Sequence, residues 1–408
     1  MESINTTVDQ QQQQTEEQEQ QQIVSIPEPM SPITKLGGWE FYKTVLKSPK
    51  KVIAPMVDHT YLAFRMLCRK YGADLVYTPM FHSKNFATCK VYRKESFSTC
   101  PEDRPLVVQF CGNEAEWVVK AAKFVEDECD AIDLNLGCPQ QIAKRGNYGA
   151  FLLEKPEIFL PIVRELHKNI KVPIFCKIRL LPDINDTIKL ALSLQEAGCQ
   201  LLTIHGRTKE QKGQHAGIAN WEAIKIIREK LSIPVFANGS VVLYKDIEPC
   251  LEATGAQGVM SAEGILANPS MFSGLDLPIT QIAKEYIDMC LVYHTETYIC
   301  RSHLFKMLRS LFDYHVDLRE KMGKIHTFEG FRDLITELEV RIESGIQPEK
   351  MLTNKQKREL KEKEREDELK RQKMDTTEII TTTTTDDKPN TTVTETPTTA
   401  TTTATVST

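Results

Sequence analysis

Residues 131–140 read AIDLNLGCPQ, and the reading of this stretch decides the fold. It begins as an Ala, Ile and Leu run too short for a helix and stops at a Gly-Cys-Pro turn, which describes a buried strand entering a tight loop. Working outward, runs of the same kind recur at 52–56, 75–80, 106–110, 173–179, 201–207, 234–240 and 258–264, eight in all with 131–137. Amphipathic stretches at helical spacing lie between them, at 61–70, 114–126, 158–167, 187–197, 221–230 and 245–253. Continuous apolar strands imply a parallel sheet covered by helices, and eight such units across 48–275 predict an α/β chain built as a (β/α)8 TIM barrel. An open doubly wound sheet would show a glycine-rich turn after its first strand, where this chain has Ala54-Pro55-Met56. Residues 281–350 change to longer helical patterns (282–294, 304–315, 328–343), so a small all-helical domain is expected to follow the barrel.

The ends differ from the core. Of 408 residues, 41% are apolar and 26% charged, with a net charge of -5. Residues 1–22 hold five acids and no base, 351–375 nine bases against seven acids, and 376–408 four acids against one base. The stretch 23–350 is therefore left at about +1, and the acidity of the whole does not exclude an anionic partner for the core. Residues 1–30 read as a disordered Gln-rich tail, 351–375 as a charged helix or linker, and 376–408 as a disordered Thr-rich tail. No window of eighteen or more apolar residues occurs, and the N-terminus lacks the basic and apolar regions of a signal peptide, so no membrane partner is expected. Eleven cysteines without a CxxC pair or zinc-type spacing fit reduced thiols in the cytosol or nucleus and predict no metal site. Nothing calls for an obligate protein partner, and a monomer is expected.

A parallel barrel gathers its catalytic groups on the loops at the C-terminal ends of its strands. Here strand three ends in Gln109, four in Asn135 and Cys138, five in Lys177 and Arg179, six in His205 and Arg207, and seven in Asn238 and Gly239. Buried polar side chains need a partner or a ligand, and five consecutive strands ending in polar groups describe one site. The small-residue turns at 238–240 and 258–264 let backbone N–H groups approach a phosphate. Lys177 is a point cation suited to a delocalised anion, with a structural ion pair to Asp133 as the competing reading. Gln109 offers both a donor and an acceptor to a heterocycle. His205 by itself would be a satisfied core histidine, and only the Gly206-Arg207-Thr208 loop beside it favours ligand contact. Cys138, on a loop beside Gly and Pro, is placed to attack a substrate with His205 as its base, to bind a metal, or to give up a proton; spacing does not separate these.

Ala54-Pro55-Met56-Val57, the run from Asp133 to Gln140 continuing into Lys144-Arg145-Gly146 and Tyr148-Gly149-Ala150, Lys177-Ile178-Arg179, His205-Gly206-Arg207-Thr208, Asn238-Gly239-Ser240 and Ser261-Ala262-Glu263-Gly264 form an ordered set. In that order the chain resembles the tRNA-dihydrouridine synthase family, and within it the eukaryotic branch acting on positions 16 and 17 of the tRNA D-loop. The resemblance implies an FMN-binding barrel, a helical tRNA-binding domain at 281–350, and NADPH or NADH as reductant. Carried over, it places Pro55, Met56 and Val57 along the flavin, Gln109, Lys177 and His205 against it, and Asn238, Gly239, Ser240, Ala262 and Glu263 in the phosphate loops. Asn135 and Arg179 would hold the target uracil, with FMNH2 giving a hydride to C6 and Cys138 a proton to C5. Many bacterial members have Gly-Arg after strand eight; Ala262-Glu263 stands here, so backbone amides must hold the phosphate and Glu263 should point away.

Binding tRNA needs cations beyond the pocket, and Arg301, His303, Lys306, Arg309, Arg319, Lys321 and Lys324 crowd the helical region. Of these, Arg301, Lys306 and Arg309 are the expected substrate contacts, with Lys306 and Arg309 on one helix face. Two further functions remain open: an FMN-barrel oxidoreductase for a small enone or pyrimidine, and a catalytically inactive RNA-binding barrel.

Overall fold

The computed structural model describes residues 35–345, where eight parallel strands form one sheet: β1 (Lys51–Ile53), β2 (Val76–His82), β3 (Leu106–Cys111), β4 (Ala131–Leu136), β5 (Ile174–Arg179), β6 (Leu201–His205), β7 (Val235–Asn238) and β8 (Gly258–Ser261). Each pairs with its neighbour in sequence from β2 to β8, β8 returns to pair with β1, and a single bridge between Val52 and Leu75 brings β1 to β2, so the sheet closes as a barrel. The eight runs read from the sequence are these eight strands. The expectations for 1–30, 351–375 and 376–408 lie outside the described residues.

Successive side chains of a strand point to opposite faces, and this divides the core in two. Ile132, Leu134, Ile174, Cys176, Ile178, Leu202 and Ile204 pack outward under the helices. Val107, Ala131, Phe175, Leu201, Phe236 and Met260 form a separate inner cluster together with Phe41, Tyr42 and Leu46. Those last three come from helix Gly38–Thr44 and the residues after it, which plug the barrel from below. Trp39 Nε1 donates to Ser232 O at 2.8 Å and Tyr42 OH to Gln257 O at 3.0 Å, fastening the plug. The expected barrel start at 48 omitted this helix, since seven residues of mixed polarity carry too little periodicity to be seen. Helices Ser83–Thr88 and Lys90–Ser96 after β2, and Gln141–Arg145 after β4, escaped notice for the same reason.

After β8 the chain runs through helices Ile279–Val292, Thr297–Met307, Arg309–Phe312, Val316–Lys324 and Phe328–Glu343. Their apolar residues join the outer core of the barrel. Tyr286 meets Phe64 edge-on at 6.1 Å, while Lys70 Nζ and Tyr71 OH both donate to Glu285, at 2.9 and 2.6 Å. Among the described residues no helix is long and apolar enough to cross a membrane, and no group of three or more His, Cys, Asp or Glu is arranged to hold a metal ion.

A buried ion-pair cluster ties helix Leu62–Lys70, after β1, to the segment that leads into β3. Asp103 is fully buried and receives Arg65 Nε and Nη2 at 3.0 and 2.6 Å and Arg69 Nε at 3.2 Å. Arg65 also donates to Thr60 O and Ser98 O, both at 2.7 Å. Removing the carboxylate leaves a buried guanidinium without its counter-charge. Asp103→Ala is therefore expected to lower the unfolding free energy by about 3–5 kcal/mol, read from the urea midpoint.

Candidate active site

The alternation that keeps the lower barrel apolar makes its upper half polar. Along β4 the inward positions are Ala131, Asp133 and Asn135; along β5 Phe175, Lys177 and Arg179; along β6 Leu201, Thr203 and His205. Register sets Gln109 beside Asp133, Asn135 beside Lys177, Arg179 beside His205, and His205 beside Asn238. Strand-end residues predicted from five separate runs thus meet in one ring.

Two chains of hydrogen bonds organise it. Gln109 Nε2 donates to Asp133 Oδ2 at 2.7 Å, Asn135 Nδ2 to Gln109 Oε1 at 2.8 Å, and Asn135 Oδ1 accepts from the main-chain N–H groups of Gly137 and Cys138 at 3.0 and 2.9 Å. The carboxylate fixes the orientation of both amides and, through them, the loop that carries Cys138. On the other side Lys177 Nζ donates to Asn238 Oδ1 and Asn238 Nδ2 to Met260 O, both at 2.8 Å. Lys177 therefore reaches Asn238, and the competing ion pair with Asp133 is not formed. Arg179 donates from Nε to Gly137 O at 2.8 Å and from Nη1 to Thr208 O and Gln211 O, leaving Nη2 without a hydrogen bond among the described residues.

Desolvation governs the electrostatics of the ring. Burial pushes Asp133 up to about 7, opposed by the Gln109 hydrogen bond and by Lys177. Burial and then Arg179 bring Lys177 down to about 7, while Asp133 pulls the other way. Arg179 is lowered to about 10 by burial and the Arg207 charge. His205 is held far below the usual histidine range by burial, then by Lys177, Arg179 and Arg207, so its ring is neutral. Arg207 Nη1 faces His205 Nε2 at 3.1 Å, which makes Nε2 the acceptor and assigns the proton to Nδ1.

The loops complete the mouth. Gly239 has φ +111°, and a Cβ there would lie 2.8 Å from Ala219 Cβ and 2.9 Å from the His205 ring. Ser240 Oγ accepts from Ala219 N at 2.9 Å and from Arg207 Nη2 at 3.1 Å, joining the turns after β6 and β7. Gly149 has φ +66°, and a Cβ would approach Cys138 O at 2.7 Å, so a bare backbone is required beside the thiol loop. Cys138 is half-buried against a small cluster of Cys111, Ala143 and Tyr148, with Met80 and Phe151 at its edge. Pro55 and Met56, just past β1, are half-buried and Val57 is exposed; Ala262 is half-buried and Glu263 exposed.

Several members of this site were not read from the sequence as site residues, and Asp133 entered only as the competing partner of Lys177. Asp133 anchors the amide chain, and its Oδ1 has no hydrogen-bond partner; Thr203 Oγ1 and Tyr77 OH are likewise buried without one. Cys111 and Tyr148 wall the thiol loop. The period of two counted back from Asn135 and His205 marks Asp133 and Thr203, whereas Cys111 and Tyr148 reach Cys138 only through the tertiary fold.

Among the expected tRNA contacts, Arg301 is half-buried and donates to Ile325 O at 2.9 Å. Lys321 pairs with Glu337 at 2.6 Å, while Lys306, Arg309, Arg319 and Lys324 are exposed and form no ion pair among the described residues. One expectation is corrected: Lys306 and Arg309 do not share a helix. Buried Leu308, at φ −89° and ψ 8°, ends the first helix, and a new one begins at Arg309.

A closed parallel barrel with one polar cluster at the carboxyl ends of its strands is an enzyme scaffold. Residues 52–376 match the dihydrouridine synthase (Dus) family, and the chain belongs to this enzyme family. It is 48% identical over 314 residues to a tRNA-dihydrouridine(16/17) synthase-like protein of Mus musculus, covering 76% of this chain and 66% of that one. A tRNA-dihydrouridine(16/17) synthase of Saccharomyces cerevisiae is 44% identical over 308 residues, 72% of this chain and 73% of that one. A Homo sapiens tRNA-dihydrouridine(20a/20b) synthase-like protein is 38% identical over 264 residues, 64% and 82%.

The raised Asp133 carries a pH signature. Between its unfolded value near 4 and its folded value near 7, the folded chain holds a proton that the unfolded chain releases, so this group makes stability fall as pH rises through that window. Lys177 has the opposite sign above pH 7, where the unfolded chain binds the extra proton and stability rises towards pH 10.5. Relative to wild type, Asp133→Asn should gain stability as pH increases from about 4 to 7, by at most about 1.4 kcal/mol per pH unit, in urea titrations of the flavin-free protein.

Proposed function

We propose that this protein reduces uridines of the tRNA D-loop, at positions 16 and 17, to 5,6-dihydrouridine, using FMN held in the barrel and NADPH or NADH as reductant. The observation that carries the reading is the hydrogen-bonded line from Asp133 through Gln109 and Asn135 to the backbone of Cys138, which fixes the loop of a half-buried thiol to the strand position beside the buried Lys177. Family membership and the names of the relatives supply the substrate class.

The residues present fit a flavin mononucleotide. Gln109 and Lys177 are buried and His205 is half-buried; one N–H of Gln109, the Lys177 ammonium and His205 Nδ1–H are donors on inward strand positions, and Lys177 is a cation whose charge burial disfavours until an anion meets it. Asn238, Gly239 and Ser240 form a small-residue turn beside His205, packed so closely against Ala219 and the His205 ring that only glycine fits at 239. When bound and reduced, FMN would supply the hydride that adds to C6 of the uracil.

The chain's own residues do the rest. Cys138 Sγ gives its proton to C5 and regains one from solvent, so hydride and proton together saturate the double bond. His205 is poorly suited to serve as a base for nucleophilic attack by Cys138, because the lone pair of its Nε2 faces Arg207 and burial beside Lys177, Arg179 and Arg207 disfavours the protonated ring that taking up a proton would create. Arg179 Nη2 and the free N–H of Asn135 are donors left for the uracil, which reaches them flipped out of its loop. Lys306 and Arg309 meet the tRNA backbone from the helical segment. Eleven free cysteines support work in the reducing cytosol or nucleus.

Purified protein should be yellow and form dihydrouridine in unmodified tRNA supplied with NADPH, but not in free uridine. Cys138→Ala is expected to keep FMN and lose at least ~10²-fold in turnover; unchanged conversion would remove the thiol from the mechanism. Lys306→Ala combined with Arg309→Ala should weaken tRNA binding and flatten the plot of log affinity against log salt by about 1–2, measured by filter binding.

A further inference from the structure

We infer that His303 is a positioning residue for the loop 55–60: by donating its Nε2–H to the main-chain oxygen of His59, it lets the helical segment hold the loop that borders the flavin. This rests on the proposal that FMN occupies the barrel.

The loop needs outside support. Asp58 stands at φ +61°, a conformation costly for a residue with a Cβ, and both Val57 and Asp58 are exposed, so no packing covers the tip. Internal bonds shape it: Thr60 Oγ1 receives Met56 N–H and donates to Met56 O, each at 3.1 Å, and His59 Nδ1 lies 2.8 Å from Val57 O. Only two side chains from elsewhere tie down its carbonyls among the described residues. Arg65 Nη1 donates to Thr60 O at 2.7 Å from the barrel side, and His303 Nε2 reaches His59 O at 2.9 Å from helix Thr297–Met307.

His303 is built for that one contact. It is fully buried, with ring centroids of Phe64, Tyr286 and His59 at 4.4, 4.8 and 5.0 Å. Burial first, then the neighbouring His59 and Lys306, bring it down to about 3, so the ring is neutral with a single N–H. That proton sits on Nε2, because Nε2 faces a carbonyl; Nδ1 is left buried without a partner, as is Nε2 of His59. An orphaned nitrogen is a burden on stability that an apolar side chain would avoid. What the imidazole adds is the donated bond, and that bond ends one residue from Asp58 and two from Val57.

The test uses the full chain with three side chains at position 303, reading FMN affinity by flavin fluorescence and hydrogen exchange of amides 56–60 in flavin-free protein. His303→Leu should weaken FMN binding about tenfold and speed exchange in the loop while leaving the melting temperature within a few degrees of wild type. His303→Gln, which keeps an N–H donor, should recover most of the affinity. Wild-type FMN affinity and exchange in His303→Leu would overturn the inference. Should His303→Leu fail to fold, His303→Gln decides: near-wild-type affinity supports the positioning role and a tenfold loss overturns it. A wild-type protein that binds no FMN refutes the flavin reading instead, and the exchange comparison still judges the latch.

Discussion

Every second side chain of a barrel strand points into a space closed to bulk water, and in the upper half of this barrel that space holds a carboxyl, an amine and a guanidinium. Desolvation is the force that the rest of the site answers to. It lifts Asp133 and depresses Lys177 towards the same value, about 7, and each is met by an amide rather than by the other, Gln109 for Asp133 and Asn238 for Lys177. Amides satisfy the buried groups without cancelling their charge, so a cation stays available to an anionic ligand.

The same economy of contacts reaches the loops. Asn135 lies on a strand, yet its carbonyl oxygen accepts two main-chain N–H groups of the loop beyond, so the position of Cys138 follows from the strand register. Arg207 and Ser240 stitch the turns after β6 and β7, and Gly239 and Gly149 clear space where any Cβ would collide. On the same rim the loop after β1 carries a strained Asp58 and is held from two directions, by Arg65 of helix Leu62–Lys70 and by His303 of helix Thr297–Met307. The helical segment therefore shares a core with the barrel and also touches the loop on which the site opens.

Much of this was legible beforehand, for definite reasons. Strands buried on both faces read as short apolar runs, and breaks in those runs near their ends, at Gln109, Asn135, Lys177, Arg179 and His205, stand out because buried polar groups are costly. Asp133 was visible only as a possible partner for Lys177, and its true partner, Gln109, sits 24 residues away on the next strand. Helix Gly38–Thr44 and the helices after β2 were missed because their short lengths blur the helical period. Lys306 and Arg309 have a spacing that suits one helix, but Leu308 is drawn into the core and breaks it.

By itself the sequence determined the architecture and the cast of the site: eight apolar runs at a regular interval can be buried together only as a covered parallel sheet, and their polar ends fall on one rim. Only the tertiary structure decided who bonds to whom. Whether Lys177 meets Asp133 or Asn238, which nitrogen of His205 carries a proton, and that His303 reaches across to His59, 244 residues earlier, depend on register and distances of a few tenths of an ångström. Spacing along the chain records the period of a strand or helix; it does not record which neighbour closure of the barrel brings within reach.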